Sequence, residues 1–90
     1  MDEQITMTFT APMLNGKTKI VRVRFERREG DRFSYAEGIL PGCKIESSVG
    51  FGQDEVNGLE DYLISQKDFI WEEAGKIKKD IFTLLGNSPK

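Results

Sequence analysis

Lys17-Thr18-Lys19-Ile20-Val21-Arg22-Val23-Arg24-Phe25-Glu26-Arg27-Arg28 is the stretch whose reading decides the fold. Val21, Val23 and Phe25 alternate with Arg22, Arg24, Glu26 and Arg28. A period of two predicts a strand over roughly residues 19–28, apolar on one side and charged on the other. Such a strand buries one face only, so the chain needs a sheet with a second layer packed on a single side.

Upstream, Ile5, Met7 and Phe9 alternate with Thr6, Thr8 and Thr10, which predicts a first strand. Pro12 lacks a backbone donor and ends it. Asn15-Gly16 is the strongest turn dipeptide, set in a longer connection that includes Met13, Leu14 and Lys17. Downstream, Gly30-Asp31 marks a turn and a third strand follows at about residues 33–39, with Phe33 and Tyr35 on one face. After the Pro41-Gly42 turn, Cys43, Ile45, Ser47, Val49 and Phe51 alternate with Lys44, Glu46, Ser48 and Gly50. Connections this short demand antiparallel neighbours. The simplest sheet is a four-stranded meander in the order 1-2-3-4.

The period changes after Gly52. Val56, Leu59, Leu63, Ile70, Ala74, Ile77, Ile81 and Leu84 follow helical spacing, interrupted at Gln66 and Lys67. Asp54 suits a cap and Gly86-Asn87 a stop. Acidic residues early and Lys76, Lys78 and Lys79 late match one helix dipole over about residues 54–85. Thirty residues of helix would span about 45 Å, longer than such a sheet covers. Either the helix breaks near Gly75 or its last turns project. Projecting turns would leave Ile77, Ile81, Phe82, Leu84 and Leu85 in need of a partner surface, most economically a second copy of the chain.

These elements predict a two-layer α+β fold: a single domain over residues 1–86 and a short tail at 87–90. The expected core sets Ile5, Met7, Phe9, Val21, Val23, Phe25, Phe33, Tyr35, Ile45 and Val49 against the helix. Ninety residues, 38% apolar and 31% charged, fit one small globular domain. The chain opens on no basic-then-apolar leader, has no apolar run of membrane length, and carries one cysteine. The expectation is a soluble, cytoplasmic protein without disulfide or membrane span.

The chemistry-bearing residue types are sparse. Histidine is absent, which removes the commonest general base near neutrality and the commonest transition-metal ligand. A single thiol builds no thiolate zinc site, and Cys43 reads as a small buried hydrophobe. Gly50-Phe51-Gly52 lacks the third glycine of a dinucleotide turn, and the acids that follow would repel phosphate. Asp54, Glu55, Glu60 and Asp61 do not match a calcium loop. The reading is therefore no enzyme, no metal and no cofactor.

Charge is the remaining pointer. Residues 17–32 hold seven Lys/Arg against three Asp/Glu, whereas the rest of the chain holds six against twelve. Arg22, Arg24 and Arg28 share a strand face, with Lys19 and Lys44 near it. They form the candidate interaction face; Ile77, Ile81, Phe82 and Leu85 form the candidate helix interface. Nucleic-acid binding usually needs aromatics interleaved among the cations, and here Phe25, Phe33 and Tyr35 fall in the inward register. A protein partner, or a homodimer through the C-terminal helix, fits better than nucleic acid.

In Gly52-Gln53-Asp54-Glu55-Val56-Asn57-Gly58-Leu59-Glu60-Asp61-Tyr62-Leu63, a Gly/Asp-led helix follows a few antiparallel strands. Over about residues 20–70 this layout resembles small uncharacterised bacterial or phage domains. The resemblance implies neither a catalyst nor a known ligand.

Overall fold

The computed structural model describes residues 4–87, with side chains described through Ile77. The strands are β1 (Ile5–Phe9), β2 (Met13–Asn15), β3 (Thr18–Glu29), β4 (Arg32–Leu40) and β5 (Lys44–Val49), followed by one helix, α1 (Gln53–Asn87). Every pairing is antiparallel. The order is β1-β3-β4-β5, with β2 also paired to β3. The architecture is therefore α+β as expected, with five strands rather than four.

The additional strand comes from Asn15-Gly16. Asn15 pairs with Thr18 and Met13 with Ile20, so the presumed long connection is a tight hairpin. Gly16 sits at φ +69°, open to glycine and strained for most other residues. Pro12 lies where the edge passes from β1 to β2. Beside it, Thr10 N–H donates to the Arg22 carbonyl at 3.0 Å, and Arg22 N–H donates to Thr10 Oγ1 at 3.1 Å.

The β3–β4 hairpin overturns one expectation. Glu29 pairs with Arg32 across the two-residue Gly30-Asp31 loop, so Phe25 faces Ala36 and Val23 faces Gly38. Odd positions of β3 therefore share a face with even positions of β4. Ser34, Ala36, Gly38 and Leu40 turn inward and are buried. Phe33 and Tyr35, expected in the core, point to the opposite face. The small inward residues let the helix approach closely. A Cβ on Gly38 would lie 3.2 Å from Leu63 Cδ1 and 2.6 Å from the Lys44 carbonyl oxygen.

A second correction concerns β5. Gly38 pairs with Ile45 but Glu37 pairs with Ser47, so a bulge at Glu46 inserts one extra residue. Ile45 stays inward, whereas Val49, opposite Tyr35, is thrown onto the outer face. Cys43 ends the preceding loop at φ +58°, buried, with its N–H donating to the Ile39 carbonyl at 2.8 Å.

Helix α1 runs through Gly75 without a break. Its Leu59, Leu63, Ile70 and Ala74 form one buried stripe against Val21, Val23, Phe25, Ala36, Leu40 and Cys43. Met7, Phe9, Ile45, Phe51 and Trp71 pack around that core. Each fully buried Leu, Ile, Val or Phe contributes about 1.5–3 kcal/mol, so this stripe holds the two layers together. Ile5, also expected in the core, is half exposed at the free edge of β1.

The helix begins differently from the Asp54 cap the sequence suggested. Val56 N–H donates to the Gly52 carbonyl at 2.9 Å, which makes Gly52 the capping residue. Glu55, three positions on, reaches back so that its Oε1 accepts from Gly52 N–H at 2.9 Å. Its other partner is Arg27, which shares the inward parity of Phe25 and is only 7% exposed. Arg27 Nη1 donates to Glu55 Oε2 at 2.5 Å and Nη2 to the Gly50 carbonyl at 3.0 Å. Its guanidinium lies 4.4 Å from the centre of the Phe51 ring. One strand cation thus clamps the start of the helix. The same Arg27 and the Gly52 N–H hold the Glu55 carboxyl below its ordinary pKa.

Candidate protein-interaction face

One helix covers one side of the sheet, and the other side is the surface on which the arginines stand. Its residues lie in cross-strand rows. Thr8, Arg24, Glu37 and Ser47 form one row, and Thr6, Glu26, Tyr35 and Val49 form the next. Arg22, Ile39 and Lys44 flank them on one side, and Arg28 with Phe33 on the other. The strand register therefore brings Arg22, Arg24, Arg28 and Lys44 onto a common face. Lys19 is exposed but has the opposite parity, paired with Leu14 in the β2 hairpin. It does not join them.

The arginines are held in place by neighbours on that face. Arg24 Nε donates to Glu26 Oε2 at 2.6 Å, and its Nη1 donates to Glu37. Glu26 first, and then Glu37, hold the Arg24 guanidinium above its ordinary pKa despite partial desolvation. Its plane also lies 4.5 Å from the Tyr35 ring centre. Arg22 Nη1 stands 3.5 Å from Glu46 Oε1, with both side chains half exposed. Arg28 is different. It sits 5.6 Å from the Phe33 ring centre and has no carboxylate partner among the described residues. Pairs this exposed add little to stability, but they orient the side chains.

Phe33 and Val49, 45% and 52% exposed, supply the apolar part of the face. A shallow hollow of about 240 Å³ lies over Arg22 and Arg24 beside Thr8 and Thr10. The sequence reading missed Phe33, Tyr35 and Val49 as surface residues. The signal for the first two was present: a two-residue loop at Gly30-Asp31 forces opposite parity on the joined strands. The bulge that turns Val49 outward left no such mark.

Of the candidate helix interface, Ile77 is half-buried. The side chains of Ile81, Phe82 and Leu85 lie outside the described residues. Among the described residues, no group of three or more metal-ligating side chains forms, and no helix is long and apolar enough to cross a membrane. No family model, no curated protein and no solved structure matches this chain.

Proposed function

We propose that the chain is a non-catalytic protein-interaction domain that docks through the uncovered face of its sheet. The observation that carries this reading is the outward placement of Phe33 and Val49 beside the Arg24–Tyr35 and Arg28–Phe33 pairs. Tyr, Phe and Arg are the residue types enriched at the centres of protein interfaces, where a partner excludes water from them. Thr6 and Thr8 of β1 and Ser47 of β5 border that centre as a polar rim.

Single-stranded nucleic acid is the second reading, and it gains from the same register. Phe33 and Tyr35 stand among cations, which supplies the stacking groups that sequence reasoning denied. Charge balance works against it. Glu26, Glu37 and Glu46 occupy the same face and engage Arg22 and Arg24, so little unopposed positive charge remains for phosphates.

Affinity capture from the native cell, using wild type, Phe33→Ala, Arg28→Glu and the off-face control Leu14→Ser, separates these readings. Loss of one captured protein in the two face variants, with retention in the control, is the expected result. Retention in all four would remove the sheet face from the function. Binding of a labelled single-stranded oligonucleotide at physiological salt, abolished by Phe33→Ala, would replace the protein reading with the nucleic-acid one.

A further inference from the structure

The sheet has two edges, and they are built differently. The β5 edge is guarded. It carries Lys44 and Glu46 and a bulge, and Ile45 N–H is taken by Glu60 Oε2 from the helix at 2.9 Å. These are devices that stop a foreign strand from pairing. The β1 edge has none. Ile5-Thr6-Met7-Thr8-Phe9 contains no charge, no proline and no bulge, and among the described residues it pairs only with β3.

The backbone of this edge is correctly presented for a guest. Thr10 N–H bonds to the Arg22 carbonyl, so in the alternation of an antiparallel ladder the threonine positions face β3. The N–H and C=O groups of Ile5, Met7 and Phe9 therefore point away from the sheet. The side chains of these three residues share the inner face with Phe25. Beside them runs an apolar groove of about 350 Å³, bounded by Ile5, Met7, Leu59 and Tyr62 and widened at Gly58, where no side chain intrudes.

We propose that the occupant of this edge is β1 of a second copy, paired antiparallel about Met7. The segment is self-complementary in that register. Met7 meets Met7, Ile5 meets Phe9, and Thr6 meets Thr8. Apolar residues face apolar residues on the helix side, and threonine faces threonine on the outer side, both favourable cross-strand pairs. With no charge on the edge, self-pairing brings no like charges together. The interface is two-fold and closed, as an isologous dimer requires. Both helices lie on one side of the resulting continuous sheet. Tyr62, 43% exposed, lines the groove at the seam, and Phe69, 56% exposed, lies seven residues on along the same helix flank. Phe9 of the second copy stands opposite Ile5, where the groove opens. The outer faces of both sheets stay free, so dimer formation is compatible with docking there.

Two measurements test the proposal. Sedimentation equilibrium from low to high micromolar concentration is expected to give the dimer mass. Thr6→Cys and Thr8→Cys place thiols on the outer face, away from the core. Opposed positions are close enough for a disulfide, whereas diagonal ones are not. Mild oxidation of a mixture of the two variants is expected to give a covalent heterodimer, and each variant alone to give none. Wild type, whose cysteine is buried, serves as the blank. A monomer mass at every concentration would overturn the proposal. So would a dimer in which each cysteine cross-links to itself as readily as the mixture does.

Discussion

Replacing glycine by alanine at three positions tests the packing of the two layers, because the same added methyl should act with opposite signs. At Gly38 the new Cβ would stand 2.6 Å from the Lys44 carbonyl oxygen, 3.0 Å from Ile45 Cδ1 and 3.2 Å from Leu63 Cδ1. The nearest obstacle is backbone at the bulge, which cannot rotate away. Overpacking of this kind costs about 1–3 kcal/mol. Restricting the unfolded chain offsets about 0.4–1 kcal/mol of that. The net loss is about 1–2 kcal/mol, or roughly 4–16 °C in Tm for a domain of this size. At Gly58 and Gly75 the added Cβ meets nothing within 4 Å. Both lie inside α1, where alanine is favoured over glycine by about 0.8–1 kcal/mol. Each should raise Tm by roughly 3–8 °C. Urea unfolding of the three variants, followed by circular dichroism, reads the midpoints, with the slope as a check on two-state behaviour. An unchanged or raised midpoint for Gly38→Ala would refute the crowding of Gly38 by β5 and by Leu63 of α1. A lowered midpoint for Gly75→Ala would refute a helix continuous at that point.

Leu63→Ala should cost about 2–5 kcal/mol, because its side chain is fully buried, whereas exposed Ile64→Ala should stay within about 0.5 kcal/mol; thermal unfolding of the pair checks the helix phase. Phe33→Ala and Arg28→Glu should each leave stability within about 0.5 kcal/mol, since both side chains are exposed; a drop of several kcal/mol in a urea titration would place them in the core instead. Arg27→Met should lower the urea midpoint, and the loss should shrink in a Glu55→Gln background, since the two side chains form one clamp; equal losses in both backgrounds would separate them. Glu55 has a lowered folded pKa, so its contribution is full above the ordinary carboxylate pKa and disappears as pH falls through the folded value. Stability measured from neutral to strongly acidic pH should therefore decline less steeply at the acid end in Glu55→Gln than in wild type.

The parts of the fold read correctly from sequence rest on periodicity within single elements. The alternation in β3 and the helical stripe from Leu59 to Ala74 each emerge from one stretch of chain, and both stand in the structure. The misplaced residues depend on relations between elements. Phe33 and Tyr35 look like core residues until the two-residue loop before them is counted against β3. Small Ala36 and Gly38 then explain themselves as the floor on which the helix rests. Val49 depends on a bulge whose extra residue, Glu46, looks ordinary in a strand. Arg27 stands among charged neighbours in the sequence, which hides its burial. Its odd position placed it inward, and Glu55, 28 residues away, made that burial tolerable. The cationic face was half legible: its arginines were visible, but not the aromatics among them or the glutamates that hold them.

Every strand of the sheet precedes the helix that covers it, which has a consequence for synthesis. The ribosome delivers β1 to β5 before any of α1. The hairpins are local and can form at once, but Val21, Val23 and Phe25 then face water or a chaperone until the helix follows. At about 5–20 residues per second, 35 helical residues take roughly 2–7 s to appear. During that interval the nascent sheet presents a bare apolar surface together with an unguarded edge at β1.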